Sequence, residues 1–306
     1  MSDIAIREPL VARSARRGVA WRVGDLRAYA LLAPSLVFLG TFTYWPVVQV
    51  LWNSVHEQDK RAVSFVGLKN FAAIFADPSF QRACVNNLLY AAGTVIPSVV
   101  LALGFALALS RSNRLNTFLR AVLFLPVLVP LVAAAAIFLF IFLPGVGLLD
   151  HYLARIGIAG ANWIGDPDFA LASIMGLTVW KNAGYYMLFF LAGLQAISAE
   201  SYEAAILDGA NAWQRLRHVT LPALKPTFAF VSVIALINVV TQVDHIFVLT
   251  KGGPADSTNL LLFYVYQQAV ERYDIGKASA ATVVSLAVLL AVSAFALRRS
   301  DREADA

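Results

Sequence analysis

The sequence is poor in cysteine and in charged residues. Its 306 residues include a single cysteine, Cys84, and only 14% charged side chains. One cysteine excludes an internal disulfide, and with it a disulfide-stapled secreted scaffold. A soluble domain carries about 25% charged residues, and a chain that is 59% hydrophobic has more apolar surface than a soluble fold can bury. The composition therefore disfavours a soluble protein.

Motifs for catalysis and nucleotide binding are also missing. A phosphate-binding P-loop requires the pattern G-x-x-x-x-G-K-[ST]. Lys277 of the only Gly–Lys pair is instead followed by Ala278, and Glu271 stands where the first glycine belongs. The four histidines lack the spacing of a metal site, and no G-x-S-x-G nucleophile motif occurs. We therefore expect a chain that binds no cofactor or metal and is not itself an ATPase.

Long apolar runs are what the sequence does contain. Six are long enough to cross a membrane, since about 20 helical residues span its hydrocarbon layer. They are Tyr29–Trp52, Leu88–Leu109, Leu119–Phe142, Phe169–Leu194, Phe228–Leu249 and Ala278–Leu297. The first run is too long for a signal peptide and lacks an A-x-A-like cleavage site, so we interpret it as an uncleaved span. Internal prolines do not exclude a membrane helix. The predicted fold is all-α and polytopic, with six transmembrane helices.

Lysine and arginine are unevenly distributed between these spans. With the N-terminus inside, the inner segments carry nearly twice as many of these residues as the outer ones. The positive-inside rule then places both termini in the cytoplasm. We predict a basic cytoplasmic segment at 1–28, a membrane domain at 29–297 and a cytoplasmic tail at 298–306, in the inner (cytoplasmic) membrane. The net charge of +5 orients the helices among the lipids and does not indicate nucleic-acid binding.

One cytoplasmic segment, residues 197–222, has the pattern of two short amphipathic helices. Ser198 can cap the first helix, and Gly209 can end it because glycine tolerates a left-handed backbone. Asn211 can cap the second helix, which we expect Pro222 to close. A compact helical unit of this kind, on the cytoplasmic side of a membrane domain, indicates a docking element.

The segment resembles the EAA motif of permease subunits of binding-protein-dependent ABC importers. The matching residues are Glu203, Ala204, Ala205, Gly209, Val219, Leu221 and Pro222. The family prefers isoleucine where this chain has Val219. Four further stretches are similar to the carbohydrate branch of the family, which is of the maltose-transporter type: Phe65–Phe71, Trp180–Asn182, Leu191–Ile197 and Asp244–Pro254. Residues 197–222 are called the EAA segment below.

The resemblance implies a type I ABC importer permease fold and a set of partners. A second permease subunit would complete the pore, as a heterodimer, and an ATPase subunit dimer would use ATP and Mg²⁺ at the cytoplasmic side. An extracytoplasmic solute-binding protein would deliver the substrate. By position, Glu203 would be a polar contact to the ATPase and Gly209 the turn, with the apolar face around them as the docking surface.

Several polar side chains fall inside the predicted spans. A charge at the bilayer centre costs about 2.5–3.5 kcal/mol on insertion scales, so each one requires a reason. The residues concerned are Lys181, Asn182, Asn238, Gln242 and Asp244, and His245 belongs to the same polar group of the fifth span. They either line a polar translocation path or hold helices together, for example through a Lys181–Asp244 ion pair. The sequence leaves both interpretations open.

The leading functional hypothesis is ATP-driven import of a sugar or related polyol by alternating access. Glycerol-3-phosphate or another small solute is the alternative substrate. A secondary transporter would contain more intramembrane carboxylates and no EAA segment. An intramembrane enzyme would need paired carboxylates or a metal set at one membrane depth, whereas Asp244 is the only acidic residue well inside a predicted span.

Overall fold

The computed structural model describes residues 23–59 and 62–304. Within these ranges the α-helices are α1 (Val23–Leu39), α2 (Trp45–Ser54), α3 (Lys69–Phe75), α4 (Pro78–Ala108), α5 (Arg114–Leu128), α6 (Leu131–Ile141), α7 (Leu148–Arg155), α8 (Pro167–Gln195), α9 (Ala199–Leu207), α10 (Ala212–Arg215), α11 (Leu221–Ala223), α12 (Lys225–Thr241), α13 (Asp244–Leu249), α14 (Leu261–Tyr266) and α15 (Ile275–Ala304). Residues 1–22 of the predicted basic segment lie outside the described residues, as do residues 305–306 of the predicted tail.

The remaining regular structure is one hairpin and three π-helical turns. Strands β1 (His56–Asp59) and β2 (Ala62–Phe65) pair antiparallel, with His56 opposite Phe65. The π-helical turns are Gly40–Tyr44, Leu216–Thr220 and Gln267–Glu271. The hairpin is a small addition to the predicted all-α fold and lies in a loop predicted to be on the outer side.

The chain forms two compact units, one that ends at Gln49 and one that starts at Val50. The described part of the first unit is helical and consists of α1, the first π-helical turn and the start of α2. The helical stretch Tyr29–Ser54 is apolar and long enough to cross a membrane by length and composition. The first predicted span, 29–52, therefore matches a helix to within two residues.

Three other predicted spans each correspond to one helix. The span predicted at 88–109 lies in α4, which starts earlier because Pro78 occupies its first turn and Asp77 caps it. The Asp77 carboxylate accepts a hydrogen bond of 2.9 Å from the Ser79 amide, as an N-cap residue does. Helix α8 matches the span predicted at 169–194. The apolar part of α15, Ile275–Ala291, contains most of the sixth.

The third predicted span, 119–142, is not one continuous helix, because α5 and α6 meet at an angle of 98°. Proline disfavours a helical backbone in the residue before it, and Val129, before Pro130, is extended with φ −72° and ψ 126°. Pro130 also has no N–H to donate to the carbonyl oxygen of Pro126. The expectation that these prolines leave the helix intact is therefore wrong, and the break frees carbonyl oxygens for other donors.

The fifth predicted span, 228–249, is divided as well. Helix α12 ends at Thr241, Gln242 takes an extended backbone with ψ 114°, and α13 begins at Asp244. Before α12, the helical stretch Ala212–Ala223 meets it at 63°. That bend corrects the expectation that Pro222 closes the preceding helix, because Pro222 lies in the first turn of α11, where proline is tolerated.

By length and composition, two helices of the described residues can cross a membrane, and four can if each bent pair counts as one span. The count of six spans and the cytoplasmic position of both termini stay predictions.

Helices α4 and α8 form the most extensive helix pair of the second unit. Buried apolar clusters lie on both sides of the polar residues between them. One cluster contains Ala102, Ala106, Met187 and Phe190, and the other contains Ile174, Leu177, Ile246 and Phe263. Burial of apolar surface stabilises a fold by roughly 25 cal/mol per Å². These clusters therefore fix the positions of the polar side chains described next.

A nearly buried carboxylate organises the loop between α6 and α8. Asp150 accepts hydrogen bonds of 2.6 Å from the Gly145 amide and 2.6 Å from the Trp163 indole N–H. Any side chain at Gly160 would overlap the Asp150 carboxylate, so only glycine fits there. The hydrogen bonds, above all that from Gly145, hold the pKa of the Asp150 carboxyl below its ordinary value of 3.8, because they stabilise the charged form.

Candidate functional site

Polar side chains recur at every fourth position on the facing sides of α4 and α8. They are Tyr90, Thr94 and Ser98 on α4, and Thr178, Asn182 and Tyr186 on α8, and all are buried. Residues four apart lie on the same face of a helix, so each helix contributes a stripe and the two stripes meet. Asn238 of α12 and His245 of α13 join them. Together these residues are called the polar seam.

Hydrogen bonds connect the polar seam across four helices. The Tyr90 hydroxyl lies 2.6 Å from Thr178 Oγ1 and 3.0 Å from His245 Nε2. Asn238 donates from Nδ2 to the Tyr186 hydroxyl at 3.0 Å. A buried polar group costs free energy unless it has a hydrogen-bond partner. These bonds therefore hold the helices together while they keep hydroxyl and amide groups in the interior of the bundle.

A small cavity of about 10 Å³ lies within the polar seam. It is lined by Thr94, Val95, Ser98, Thr178, Asn182, Tyr186, Ala235, Asn238 and Val239. This volume has room for about one water molecule, so a sugar does not fit. The polar seam is closed in this conformation.

Two of the predicted path residues, Asn182 and Asn238, come together at this cavity. The other three do not line it. Gln242 is half-buried in the break between α12 and α13, and Asp244 is exposed at the first residue of α13. Lys181 is buried, but its ammonium group points to a different neighbour.

Lys181, the middle residue of α8, caps the broken third span. Its ammonium group donates to the carbonyl oxygens of Pro126 and Val127 at 3.2 Å each, and to that of Val129. A cation is favourable at this place because the carbonyl groups at a helix C-terminus carry partial negative charge. Lys181 thus holds helices together, which is one of the two roles that the sequence left open. Its partners are backbone carbonyls, so the proposed ion pair with Asp244 is wrong.

A glycine one turn further along α8 permits the same close contact. A side chain at Gly184 would overlap the backbone carbonyl of Leu123 in α5. Small residues allow helices to approach closely in membrane bundles. Lys181 and Gly184 therefore act at the same contact: Gly184 lets α8 lie against α5, and Lys181 donates hydrogen bonds to the carbonyl groups at the end of α5.

Sequence reasoning missed most of the polar seam. The missed residues are Tyr90, Thr94, Ser98, Thr178 and Tyr186. Single hydroxyl groups within an apolar run carry no charge and leave the run's hydropathy high. The signal that could have found them is their spacing, because polar residues at i, i+4 and i+8 in both spans define one buried stripe on each helix.

The EAA segment folds as two short helices on either side of Gly209. Gly209 has φ +79°, a left-handed conformation that glycine adopts without steric strain. Asn211 accepts a hydrogen bond of 2.9 Å from the Gln214 amide, and the Gln214 side chain accepts one of 2.8 Å from the Asn211 amide, which completes a capping box. The predicted turn and second cap are confirmed. Ser198 is the N-cap residue of α9, but its hydroxyl bonds to the Ser201 hydroxyl at 2.8 Å and not to a backbone amide.

A side-chain hydrogen bond joins the two halves of the EAA segment. The Tyr202 hydroxyl of α9 lies 2.9 Å from Thr220 Oγ1 at the end of the π-helical turn. Thr220 is buried, so the bond is protected from water, where a hydrogen bond contributes less. The bond thus links α9 to the second half of the segment.

The outward side of the EAA segment exposes apolar side chains next to a carboxylate. Leu207 and Trp213 are 89% and 65% exposed, and Ile206 is also exposed. Glu203 and Ala204 lie exposed on α9. Three large apolar side chains exposed on two successive short helices favour an interaction surface.

An open groove of about 380 Å³ runs between α9 and α10. Its lining residues are Ala205, Asp208, Gly209, Ala210, Gln214, Arg215, His218 and Val219. The groove thus brings together Ala205, Gly209 and Val219 of the predicted coupling residues. Leu221 is half-buried and Pro222 exposed, and both lie outside it.

The described residues thus combine a helical bundle that contains a buried polar seam with an exposed EAA segment. The chain belongs to the family described as binding-protein-dependent transport system inner membrane component, whose model matches residues 99–304. It is therefore a permease of the ABC importer class, as the resemblance indicated.

Two curated relatives illustrate this membership, and one solved structure has a similar fold. The chain is 35% identical over 273 residues to the sn-glycerol-3-phosphate transport system permease protein UgpA of Brucella abortus biovar 1, across 88% of this chain and 93% of that protein. It is 33% identical over 280 residues to the sulfoquinovosyl glycerol transport system permease protein SmoG of Agrobacterium fabrum, across 90% and 91%.

The solved structure is a bacterial alginate ABC transporter in complex with alginate pentasaccharide-bound periplasmic protein. One of its chains matches with a TM-score of 0.80 at 23% identity, across 91% of this chain and 95% of that chain. The likeness shows the type I ABC importer permease fold, and that part of the expected fold is confirmed.

Proposed function

We propose that this chain forms one half of the pore of an ATP-driven importer for a sugar or related polyol. The polar seam carries the proposal. Its described residues supply hydroxyl, amide and imidazole groups and include no lysine, arginine or carboxylate. Hydroxyl and amide groups both donate and accept hydrogen bonds, which suits a neutral solute rich in hydroxyl groups. The relative named for sulfoquinovosyl glycerol supports a carbohydrate substrate.

The mechanism that fits this geometry is alternating access. The closed polar seam must open when α4, α8 and α12 separate. Helix α12 carries Asn238 and follows α11 of the EAA segment after a bend at Leu224. A displacement of the EAA segment is therefore transmitted to the polar seam along one continuous stretch of chain. The Tyr202–Thr220 hydrogen bond helps the two halves of the segment to move together.

The partners follow from the same reasoning. A dimer of ATPase subunits docks on Glu203, the exposed apolar side chains and the groove of the EAA segment, and supplies the ATP and Mg²⁺ chemistry. This chain binds no cofactor of its own. A second permease subunit, as a heterodimer, completes the pore in the cytoplasmic membrane, and a solute-binding protein docks on the outer side. The solved neighbour in complex with its periplasmic protein supports the last partner.

Glycerol-3-phosphate is the second candidate substrate, and the 35% identity to a permease named for it favours it. A phosphate in a membrane interior requires a cation. The nearest candidate, Lys181, donates its ammonium protons to backbone carbonyls, so the polar seam itself favours a neutral polyol. Titration calorimetry of the cognate solute-binding protein with neutral sugars, polyols and glycerol-3-phosphate decides between them. Tight binding of the phosphate ester alone would overturn the neutral-polyol proposal.

The coupling proposal is tested by charge reversal at Glu203. Glu203→Lys should abolish co-purification of the ATPase and substrate uptake while membrane insertion stays normal. Glu200→Lys is the matched control, since Glu200 is also exposed on α9 but lies outside the motif. Equal loss in both variants, or full coupling in Glu203→Lys, would contradict a specific role for Glu203.

A further inference from the structure

A second pocket lies between the EAA segment and the ends of the membrane helices. Its volume is about 680 Å³. Leu107 and Arg111, at the end of α4, and Leu194 of α8 form one side, and Arg215 and Leu216 of the EAA segment form the other. The pocket thus joins the membrane bundle to its docking element.

Two cations in this pocket have no partner among the described residues 23–59 and 62–304. Neither the Arg111 nor the Arg215 guanidinium has a hydrogen bond or an ion pair there, and no acidic side chain lines the pocket. The carbonyl groups at the end of α4 do not occupy them, because Arg120 donates to the carbonyl oxygens of Leu109 and Ser110, at 3.0 and 3.2 Å. The pocket therefore presents two free positive charges.

Apolar walls accompany these charges. Leu107, Leu194 and Leu216 line the same pocket, and Ser110 and Thr220 add hydroxyl groups. Guanidinium groups bind phosphate through paired hydrogen bonds, and basic pockets at the cytoplasmic ends of membrane helices suit anionic lipid headgroups. Free phosphate would satisfy the arginines but leave the leucine walls uncovered. A phospholipid satisfies both, through its phosphate and the first part of its acyl chains.

We propose that this pocket binds the phosphate headgroup of an anionic phospholipid from the inner leaflet. The choice of leaflet rests on the proposed cytoplasmic position of the EAA segment. Because Arg111 belongs to the bundle and Arg215 to the EAA segment, a bound phosphate bridges the two and stiffens their connection. Anionic lipid then raises the coupling between ATP hydrolysis and transport.

The test uses the purified complete importer, delipidated and titrated with phosphatidylglycerol, with native mass spectrometry as the readout. Each cation near an anionic headgroup contributes a factor of about five in affinity. The variant R111Q, which leaves the groove of the EAA segment untouched, should therefore weaken phosphatidylglycerol binding about fivefold. Arg114→Gln is the matched control, because Arg114 is exposed near the same helix end but does not line the pocket. Its binding should equal that of the wild type.

Further measurements distinguish an anionic lipid from a free anion and from a protein contact. Phosphatidylcholine should bind far more weakly than phosphatidylglycerol, and millimolar inorganic phosphate should not displace the lipid. Displacement by phosphate would overturn the lipid assignment in favour of a free-anion site. Unchanged lipid binding in R111Q with loss of ATPase co-purification would overturn it in favour of a protein contact. Retained ATPase co-purification with weakened lipid binding supports it, and separates this result from a failure of the coupling proposal.

Discussion

The ammonium nitrogen of Lys181 lies 3.2 Å from the carbonyl oxygen of Pro126. A cation at the middle of one membrane helix thus caps the end of another, where Pro130 has removed the usual N–H donor. The charge is compensated without a carboxylate, which explains how a lysine is accommodated in an apolar bundle. It also assigns Lys181 to architecture, while the neighbouring Asn182 belongs to the polar seam.

Replacing Lys181 by methionine should destabilise the complex with little change in substrate preference. The substitution keeps the apolar stem but leaves carbonyl oxygens unsatisfied, and one hydrogen bond to a charged group contributes about 1.5–3 kcal/mol. We expect a loss of that order, measured by thermal unfolding of the purified complex. Lys69→Met is the control, since Lys69 forms an exposed ion pair with Glu57 and such pairs contribute at most about 1 kcal/mol. A stable Lys181→Met complex with altered substrate specificity would instead place Lys181 in the path.

Gly184→Ala should separate α8 from α5. The new methyl group would overlap the Leu123 carbonyl, and overpacking costs about 1–3 kcal/mol. Gly176→Ala, in the same helix, meets no atom within 4 Å and should be neutral or stabilising by up to about 1 kcal/mol. Thermal unfolding of both variants tests the contrast. Similar midpoints would show that the two helices do not need this close approach.

Gly209 should tolerate asparagine better than alanine. Its φ of +79° costs an ordinary L-residue about 1–2 kcal/mol, and asparagine less. We expect substrate taken up per ATP hydrolysed to fall in the order glycine, asparagine, alanine, with membrane insertion unchanged. Gly104→Ala controls for the loss of a glycine, because a side chain there meets no atom within 4 Å. If alanine matched or exceeded asparagine, the left-handed turn would not be what coupling requires.

Tyr186→Phe should weaken substrate binding in the opened polar seam. The change removes one hydroxyl group that borders the cavity and accepts a hydrogen bond from Asn238. A typical hydrogen bond contributes about 1 kcal/mol, so KM for uptake into proteoliposomes should rise about fivefold. Tyr152→Phe, at an exposed tyrosine, is the control and should leave KM unchanged. A fall in complex yield without a change in KM would show that the hydroxyl serves helix packing alone.

The loop between α6 and α8 that Asp150 holds should open in acid. The folded-state pKa of this carboxyl is lowered, so its contribution to stability is fully present above the unfolded pKa of about 3.9 and is lost as pH falls through the lower folded value. Proteolysis of the loop should therefore be slow at neutral pH and accelerate below about pH 4. Asp150→Asn should be cleaved quickly at neutral pH, whereas Asp168→Asn, at an exposed carboxylate, should behave like wild type. Identical pH profiles of proteolysis for Asp150→Asn and wild type would show that the Asp150 carboxylate does not hold the loop closed.

Features that depend on neighbouring residues in the chain were predictable from the sequence. An apolar run such as that of α8 reflects the solvent that a helix must face. The predicted ends of that span, 169 and 194, therefore agree with the ends of α8 to within two residues. The turn at Gly209 and the cap at Asn211 depend on local backbone geometry and were likewise predictable. The break at Pro130 was underestimated, because its stability depends on Lys181, which is distant in sequence.

By itself, then, the sequence determined the membrane-helix class of this protein and the form of its EAA segment, because both arise from short-range pattern and backbone chemistry. Only the tertiary structure decided which polar residues meet. Lys181 and Asn182 are adjacent in the chain, yet successive residues of an α-helix point about 100° apart. One therefore faces the carbonyl groups at the end of α5, and the other faces α4 and α12 across the polar seam.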